Sequence, residues 1–151
     1  MPKFAVTRRV AHAADQMFDL VADVERYPEF VPLWEKLAVR ARREDNGKTV
    51  LIADTAIGYR SIRESFSTRV TLDRAAMIID FGYLTGPFRR LYGRWHFEAQ
   101  GPRTCLVHFS LDYEFRSRIL AMLMGALFDQ AFRRFAAAFE ARADQIYGVS
   151  V

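Results

Sequence analysis

The chain has 151 residues, 51% hydrophobic and 26% charged, which is enough for one globular domain with a buried core over residues 1–151. Its net charge of +4 is compatible with a partner that carries phosphate, either RNA or an anionic lipid surface. The single cysteine, Cys105, excludes an internal disulfide, and the charged N-terminus lacks the apolar segment of a secretory signal, so we expect a cytoplasmic protein.

The first 32 residues predict a strand, a short helix and a bend. Lys3–Val10 alternates apolar and polar residues, which is typical of a strand. After Ala13 the apolar spacing becomes helical, on the side chains Met17, Phe18, Leu20, Val21 and Val24. Pro28 and Pro32 disfavour helix in the residues before them, so we expect an aromatic, proline-bounded bend at residues 27–32.

The middle of the chain predicts antiparallel strands. Residues 36–44 and 49–57 are extended runs separated by Asn46-Gly47, a dipeptide that strongly favours a tight hairpin turn. Further strands are expected at residues 62–73 and 77–83.

Glu64 lies on the apolar face of the strand at residues 62–73, beside Ile62 and Phe66. A carboxylate in such a row is either a pocket group or lies at a solvated end of the sheet. We favour the solvated end, because ionised groups are rarely buried without a partner. Tyr59 and Arg60 lie close to Glu64 in the sequence.

Residues 84–92 interrupt the strand pattern with Gly86-Pro87 followed by aromatic residues and arginines. We interpret this segment as a functional loop, since loops of this length often cover binding sites. The alternative is an ordinary connection in which Phe88 packs into the core.

The clearest alternation belongs to the last two predicted strands, on either side of Gly101-Pro102. One face is apolar and rich in aromatic residues: Trp95, Phe97, Ala99, Cys105, Val107, Phe109, Leu111, Tyr113 and Phe115. The other face is polar, and a symmetric hairpin would place His96 opposite His108. Two histidines without a third ligand make a poor metal site, so we expect no metal.

Residues 117–147 predict one long amphipathic helix. Its apolar stripe consists of Phe128, Phe132, Phe135, Phe139 and Ala143, at spacings of four and three. Residues 119–128 carry no charge, but this run is shorter than the roughly 20 residues that cross a bilayer, so we interpret it as buried or interfacial.

This order of elements predicts an α+β fold in which a sheet with one apolar face wraps around the C-terminal helix. A cavity between two aromatic surfaces is the default site for a ligand. The inward faces offer no convincing acid–base pair, and the sequence lacks the common phosphate-binding and zinc-protease motifs. We therefore expect a module that binds an apolar molecule, without a catalytic cofactor.

Motifs in five stretches, at residues 21–32, 66–70, 86–97, 111–115 and 138–143, resemble the coenzyme Q-binding, START-like family of the polyketide cyclase/dehydrase superfamily. The resemblance implies a helix-grip (START/Bet v 1-like) fold, with a curved antiparallel sheet of about six to seven strands around the helix. It also implies a tunnel for ubiquinone or a similar isoprenoid lipid, and a role in delivering it for respiratory electron transport without chemistry.

Carried over by position, the resemblance assigns Phe30, Val31, Pro32, Pro87, Phe88, Leu91, Trp95 and Phe97 to the tunnel mouth and walls. To these we add, as further candidate ligand-binding residues, Trp34, Phe66, Phe81, Phe109, Tyr113, Leu123, Phe128, Phe132 and Phe135.

The same family includes a bacterial ribosome-association toxin, so a regulator that binds the large ribosomal subunit is the alternative function. Arginines are the candidate contacts for RNA or for a peripheral position at the inner face of the membrane: Arg42, Arg43, Arg89, Arg90, Arg116 and Arg118. The superfamily, together with Glu64, Arg60 and Tyr59 near one end of the sheet, also suggests a third function, a small-molecule cyclase or hydratase. No DNA partner is expected.

Overall fold

A computed structural model describes residues 3–148 and contains seven strands, three α-helices and a short 3-10 helix at Val24–Glu29. The strands and α-helices are β1 (Lys3–Val10), α1 (Ala14–Ala22), β2 (Trp34–Asp45), β3 (Lys48–Tyr59), β4 (Ile62–Asp73), β5 (Ile78–Thr85), β6 (Phe88–Gly101), β7 (Thr104–Phe115), α2 (Arg118–Arg133) and α3 (Phe135–Tyr147).

All seven strands form one antiparallel sheet. From β2 to β7 each strand pairs with the next along the chain, and β1 then pairs with β7, giving the order β1-β7-β6-β5-β4-β3-β2. The sheet curves around the helices, with α2 against β7, α3 against β1, and α1 against β5, β6 and β7. The predicted α+β architecture with a sheet wrapped around C-terminal helices is confirmed.

Turn chemistry and alternation position the strands as predicted. Asn46 and Gly47 both have positive φ angles, 52° and 80°, which the turn between β2 and β3 requires. At the other hairpin His96 pairs with His108 as expected, and their rings stack at 5.5 Å. His108 also contacts Glu98 at 2.9 Å.

The expectation of one long C-terminal helix is corrected by the structure. The helix is interrupted at Arg134, whose φ and ψ are −97° and 0°. The Arg134 N–H points at two carbonyls, those of Gln130 at 3.2 Å and Ala131 at 3.1 Å, so the last turn of α2 is tightened. The predicted stripe nevertheless lies inside, since Phe128, Phe132, Phe135, Phe139 and Ala143 are all buried.

The interpretation of residues 84–92 as a functional loop is wrong. β5 continues to Thr85 and β6 begins at Phe88, so only Gly86 and Pro87 connect them. Gly86 has a φ of 138°, and a Cβ there would lie 2.5 Å from the Cβ of Phe66. Phe88 is completely buried, as the alternative interpretation expected.

A bulge explains why the sequence pattern fails at this point. The pairing of β6 with β7 shifts between Phe88 and Arg90, so that two residues on β6 oppose one on β7. Phe88 and Leu91 therefore both face inward although they are three residues apart, and both are buried. Strict alternation would have placed one of them outside.

Aromatic contacts join the layers. The ring of Phe139 on α3 lies 5.0 Å from the rings of Tyr27, Phe30 and Trp95, which belong to the 3-10 helix, the segment after it and β6. Such edge-to-face pairs stabilise by about 0.5–1.5 kcal/mol each beyond the burial of their area. The C-terminal helix is thus fixed to both the sheet and the proline-containing bend.

Candidate functional site

An apolar cavity of about 60 Å³ lies between the sheet and the C-terminal helices. Strands β2 to β6, the 3-10 helix and the two segments of the C-terminal helix all contribute to its wall. The lining residues are Val24, Tyr27, Trp34, Leu37, Ala53, Thr55, Phe66, Thr68, Val70, Ile79, Phe81, Leu91, Trp95, Phe132 and Phe135. None of these side chains is ionised at neutral pH, so the cavity suits an uncharged molecule.

Two threonines bring polarity into this lining. Thr55 on β3 and Thr68 on β4 are 4% and 6% exposed, and Thr68 lies directly opposite Ala53, two residues before Thr55. Within residues 3–148 neither hydroxyl has a hydrogen-bond partner. Each hydroxyl can donate one hydrogen bond, so a ligand with acceptor atoms in the cavity would gain from both.

Two tyrosines, Tyr27 and Tyr83, lie on the cavity side of the fold. The Tyr27 hydroxyl donates a hydrogen bond to the backbone carbonyl of Val21. Burial, with a smaller contribution from the charge of Asp23, raises the pKa of Tyr27 far above its usual range, so the phenol stays neutral. The hydroxyl of Tyr83, two residues after Phe81 on β5, is buried without a hydrogen-bond partner among the described residues.

The structure brings together seven of the ligand-binding residues that the sequence predicted. They line the cavity and are Trp34, Phe66, Phe81, Leu91, Trp95, Phe132 and Phe135.

The other predicted ligand-binding residues lie outside this lining. Phe88, Phe97, Phe109, Tyr113 and Phe128 are core residues that pack around it, and Phe88 alone contacts Phe66, Tyr83, Tyr113, Phe115 and Phe128. Phe30, Val31 and Pro32 form the segment before β2, and Pro87 is in the β5–β6 turn. Leu123 faces outward on α2 with 63% of its side chain exposed.

Several lining residues were not predicted as ligand contacts: Val24, Tyr27, Leu37, Ala53, Thr55, Thr68, Val70 and Ile79. A signal for part of this set exists in β3, where Leu51, Ala53, Thr55 and Ile57 share one face and are all buried. Small and polar residues on an inward strand face give a weaker sequence signal for a binding site than aromatic residues do.

The groups that could serve acid–base or nucleophilic chemistry lie elsewhere. Burial raises the pKa of the Cys105 thiol to about 11, which keeps it protonated at neutral pH. Glu64 of the cyclase hypothesis is partly exposed and does not line the cavity, and Arg60 lies over the ring of exposed Tyr59. Within residues 3–148 no group of three His, Cys, Asp or Glu side chains could hold a metal ion.

The predicted arginine contacts differ in their surroundings. Arg90 binds two carboxylates of β7, Asp112 at 2.8 Å and Glu114, and these hydrogen bonds raise the pKa of its guanidinium. Arg42 and Arg43 are exposed on the edge strand β2.

The remaining three predicted arginines, Arg89, Arg116 and Arg118, are exposed around the junction of β7 and α2. Among residues 3–148, no helix has both the length and the hydropathy of a membrane span.

The match to a known family covers most of the chain. A family model described as polyketide cyclase / dehydrase and lipid transport matches residues 10–140. This chain belongs to that family. Every residue that lines the cavity, from Val24 to Phe135, falls within the matched range.

Two curated relatives illustrate the range of the polyketide cyclase / dehydrase and lipid transport family. The ribosome association toxin RatA of Pseudomonas aeruginosa is 34% identical over 137 residues, which cover 91% of this chain and 92% of the relative. The mitochondrial coenzyme Q-binding protein COQ10 of Dictyostelium discoideum is 28% identical over 146 residues, covering 96% of this chain and 70% of the relative. The resemblance seen in the sequence motifs is confirmed.

Solved structures agree with the fold. The solution structure of the 18 kDa protein CC1736 from Caulobacter crescentus is 36% identical, with a TM-score of 0.78 over 99% of this chain and 100% of that chain. The crystal structure of the Zhui aromatase/cyclase from Streptomyces sp. R1128 is 18% identical, with a TM-score of 0.80 over 95% and 94%. This likeness shows the shared helix-grip architecture.

Proposed function

We propose that this chain binds a hydrophobic isoprenoid lipid, ubiquinone being the best fit, and carries it without chemical change for delivery to respiratory electron transport. The observation that carries the proposal is the cavity lining, in which aromatic rings surround two unpartnered threonine hydroxyls. Aromatic side chains such as Trp34 and Trp95 suit stacking on a quinone ring. Thr55 and Thr68 can donate hydrogen bonds to its carbonyl oxygens. The relative named as a coenzyme Q-binding protein supports this ligand class.

A non-catalytic role is part of the proposal. Among the residues that the structure describes, the lining contains no aspartate, glutamate, histidine, lysine, arginine or cysteine. None of these lining side chains can therefore act as a strong acid or base at neutral pH.

The cavity must enlarge to hold such a ligand. Its volume of about 60 Å³ has room for a few water molecules, whereas a quinone ring with an isoprenoid tail is many times larger. The interruption at Arg134 lies between Phe132 and Phe135, both of which line the cavity. We therefore place the opening motion at the junction of α2 and α3, where the helical geometry is already broken.

Tryptophan fluorescence offers a direct test, because both tryptophans of the chain line the cavity. Titration with a short-tailed ubiquinone should quench the fluorescence saturably. Ala53→Leu adds bulk inside the cavity and should abolish the quenching. Ala56→Leu adds the same bulk on the outer face of the same strand and should preserve it.

Mass spectrometry of the organic extract from purified protein complements the titration, with an unrelated basic protein as the control. An enriched isoprenoid lipid at near one copy per protein is the expected result. Absence of any lipid in the extract, together with absence of saturable quenching, would overturn the proposal.

A second candidate, binding to the large ribosomal subunit, is favoured by a groove formed by β2, β3 and β4. Arg42, Arg43 and Arg69 line this groove, and none of the three has a carboxylate partner among the described residues. Unpaired arginines suit phosphate groups of RNA. The relatives named ribosome association toxin support this alternative.

Co-sedimentation with purified large subunits tests the alternative. Binding should fall steeply between 50 and 200 mM salt, roughly as the number of phosphate contacts dictates. Charge reversal by Arg42→Glu with Arg43→Glu should abolish binding. Arg9→Glu with Arg103→Glu is the control, because it makes the same change in net charge at another edge of the sheet. Equal loss in both double variants, or no binding at low salt, would argue against a specific site at this groove.

A further inference from the structure

Three large apolar side chains of α2 face solvent. Ile119, Met122 and Leu123 are 70%, 84% and 63% exposed, which makes them the three most exposed large hydrophobic residues among those the structure describes. Their spacing of three and one places them on a single side of the helix. Contiguous exposed apolar side chains of this kind mark a surface that another body covers. We call these three residues the outer face of α2.

The fold holds this face in place. The Ser117 side chain caps the helix by accepting a hydrogen bond from the Leu120 N–H at 3.2 Å. The Arg116 N–H donates to the Pro87 carbonyl at 2.8 Å, which ties the start of α2 to the β5–β6 turn. On the opposite side of the helix, Met124 and Phe128 are buried in the core. The outer face is therefore presented by an ordered helix.

Positive charge borders the outer face. Arg116 and Arg118 are exposed, and neither has a carboxylate partner among residues 3–148. Together with Arg89 they border a groove of about 580 Å³ on the adjacent side of α2. Two carboxylates also line this groove, but each has an arginine partner: Glu114 lies 4.0 Å from Arg89, and Asp129 pairs with Arg133 at 2.8 Å. The unpaired charges at this groove are therefore those of Arg116 and Arg118. Between Ser117 and Phe128 the sequence has no acidic residue.

Exposed apolar side chains bordered by arginines fit an anionic bilayer better than they fit RNA or a second copy of this chain. RNA phosphates would pair with the arginines but would leave the apolar side chains in water. A second copy docked face to face would cover the apolar side chains but would bring its own unpaired arginines to the same rim. An anionic bilayer takes apolar side chains into its interfacial region and pairs its headgroups with arginine.

We propose that the outer face of α2 docks the protein on an anionic lipid bilayer, with Ile119, Met122 and Leu123 inserted and Arg116 and Arg118 at the headgroups. The surface is separate from the cavity, so the inference does not depend on which ligand the cavity holds. Phe88 and Leu91, which the resemblance assigns to the tunnel mouth and walls, are not part of this surface, because both side chains are buried.

Co-sedimentation with vesicles tests this surface. Wild-type protein should bind vesicles of phosphatidylcholine with 30% phosphatidylglycerol, and should bind pure phosphatidylcholine vesicles much more weakly. The triple variant Ile119→Gln, Met122→Gln, Leu123→Gln keeps good helix formers at exposed positions. Removing three partly inserted apolar side chains should weaken the partition coefficient by about 100-fold.

A matched control variant changes three exposed large hydrophobic residues elsewhere on the surface to glutamine: Tyr59, Tyr92 and Ile146. This control should bind vesicles as the wild type does. Arg116→Gln with Arg118→Gln should weaken binding roughly 30-fold at low salt, since each basic residue near an anionic surface contributes about fivefold. Circular dichroism would verify that every variant keeps its helix content.

Three results would overturn the proposal. The first is equal binding of anionic vesicles by the wild type and the triple glutamine variant. The second is no vesicle binding by the wild type at low salt. The third is a concentration-dependent dimer that the triple glutamine variant abolishes while vesicle binding is absent, which would assign the outer face to a second copy.

Discussion

Replacing Phe88 by alanine tests whether its side chain belongs to the core or to an exposed binding loop. Phe88 is completely buried, and its ring lies 4.9 Å from Phe115, 5.3 Å from Phe66 and 6.4 Å from Phe128. A buried Phe→Ala substitution typically costs about 3–5 kcal/mol, because transfer energy is lost and a cavity remains. We expect the free energy of unfolding to fall by about 4 kcal/mol. For a chain of this size that lowers the melting temperature by roughly 12 °C.

Urea denaturation followed by circular dichroism measures this change, with the slope of the transition as a check on two-state unfolding. Tyr92→Ala on the same strand is the control, since 49% of Tyr92 is exposed and its loss should cost under about 1 kcal/mol. A cost below about 1 kcal/mol for Phe88→Ala, with an unchanged slope, would refute the placement of Phe88 in the core.

Three further predictions concern other parts of the molecule. Gly93→Ala should destabilise the protein by about 2 kcal/mol in the same assay, because the new Cβ would lie 2.1 Å from the ring of Phe81; wild-type stability would contradict that packing. With its pKa raised to about 11, the Cys105 thiol is about one-thousandth ionised at pH 8, so Ellman's reagent should react only after unfolding; rapid labelling of native protein would disprove its burial. Hydrogen bonds from Arg40 and Ser67 lower the pKa of Asp54, so its stabilisation is present above the unfolded pKa of about 3.9 and is lost as pH falls through the lower folded value. Asp54→Asn should therefore lower the free energy of unfolding by about 0.5 kcal/mol at pH 7 and by nearly nothing near pH 2. An equal loss at both pH values would count against the ion pair of Asp54 with Arg40.

Elements with a strong local signal were predictable from the sequence. The Asn46-Gly47 turn defined the β2–β3 hairpin because a tight turn with two positive φ angles selects those residues. Alternation in β6 and β7 predicted the pairing of His96 with His108, since a period of two fixes both the face and the register. The buried stripe of the C-terminal helix was also correct.

Features that depend on a distant partner were not predictable. The bulge after Phe88 arises from pairing with β7, and nothing in residues 84–92 alone distinguishes a bulged strand from a loop. The interruption at Arg134 involves neither proline nor glycine, so the local sequence carries no breaker signal. The cavity itself depends on the rotamers of many side chains, which explains why Ala53 and Thr55 were missed while the aromatic residues were found.

The interruption of the C-terminal helix at Arg134, which the sequence did not predict, bears on how the small cavity would enlarge. A continuous helix from residue 118 to 147 would hold Phe132 and Phe135 in one rigid wall, and enlarging the cavity would then require the whole helix to leave the sheet. In the opening motion that we propose, α2 tilts at Arg134 while α3 stays attached, because Phe139 on α3 contacts Tyr27, Phe30 and Trp95. The contacts that α2 would lose in such a tilt include the ring pairs of Phe132 with Trp34 at 6.1 Å and with Tyr113 at 5.1 Å. They also include the ring pairs of Phe128 with Phe115 at 5.4 Å and with Phe88 at 6.4 Å. Such pairs contribute about 0.5–1.5 kcal/mol each beyond the burial of their area. An isoprenoid tail returns about 0.8 kcal/mol for each CH₂ group that it buries, so a longer buried tail offsets more of this loss.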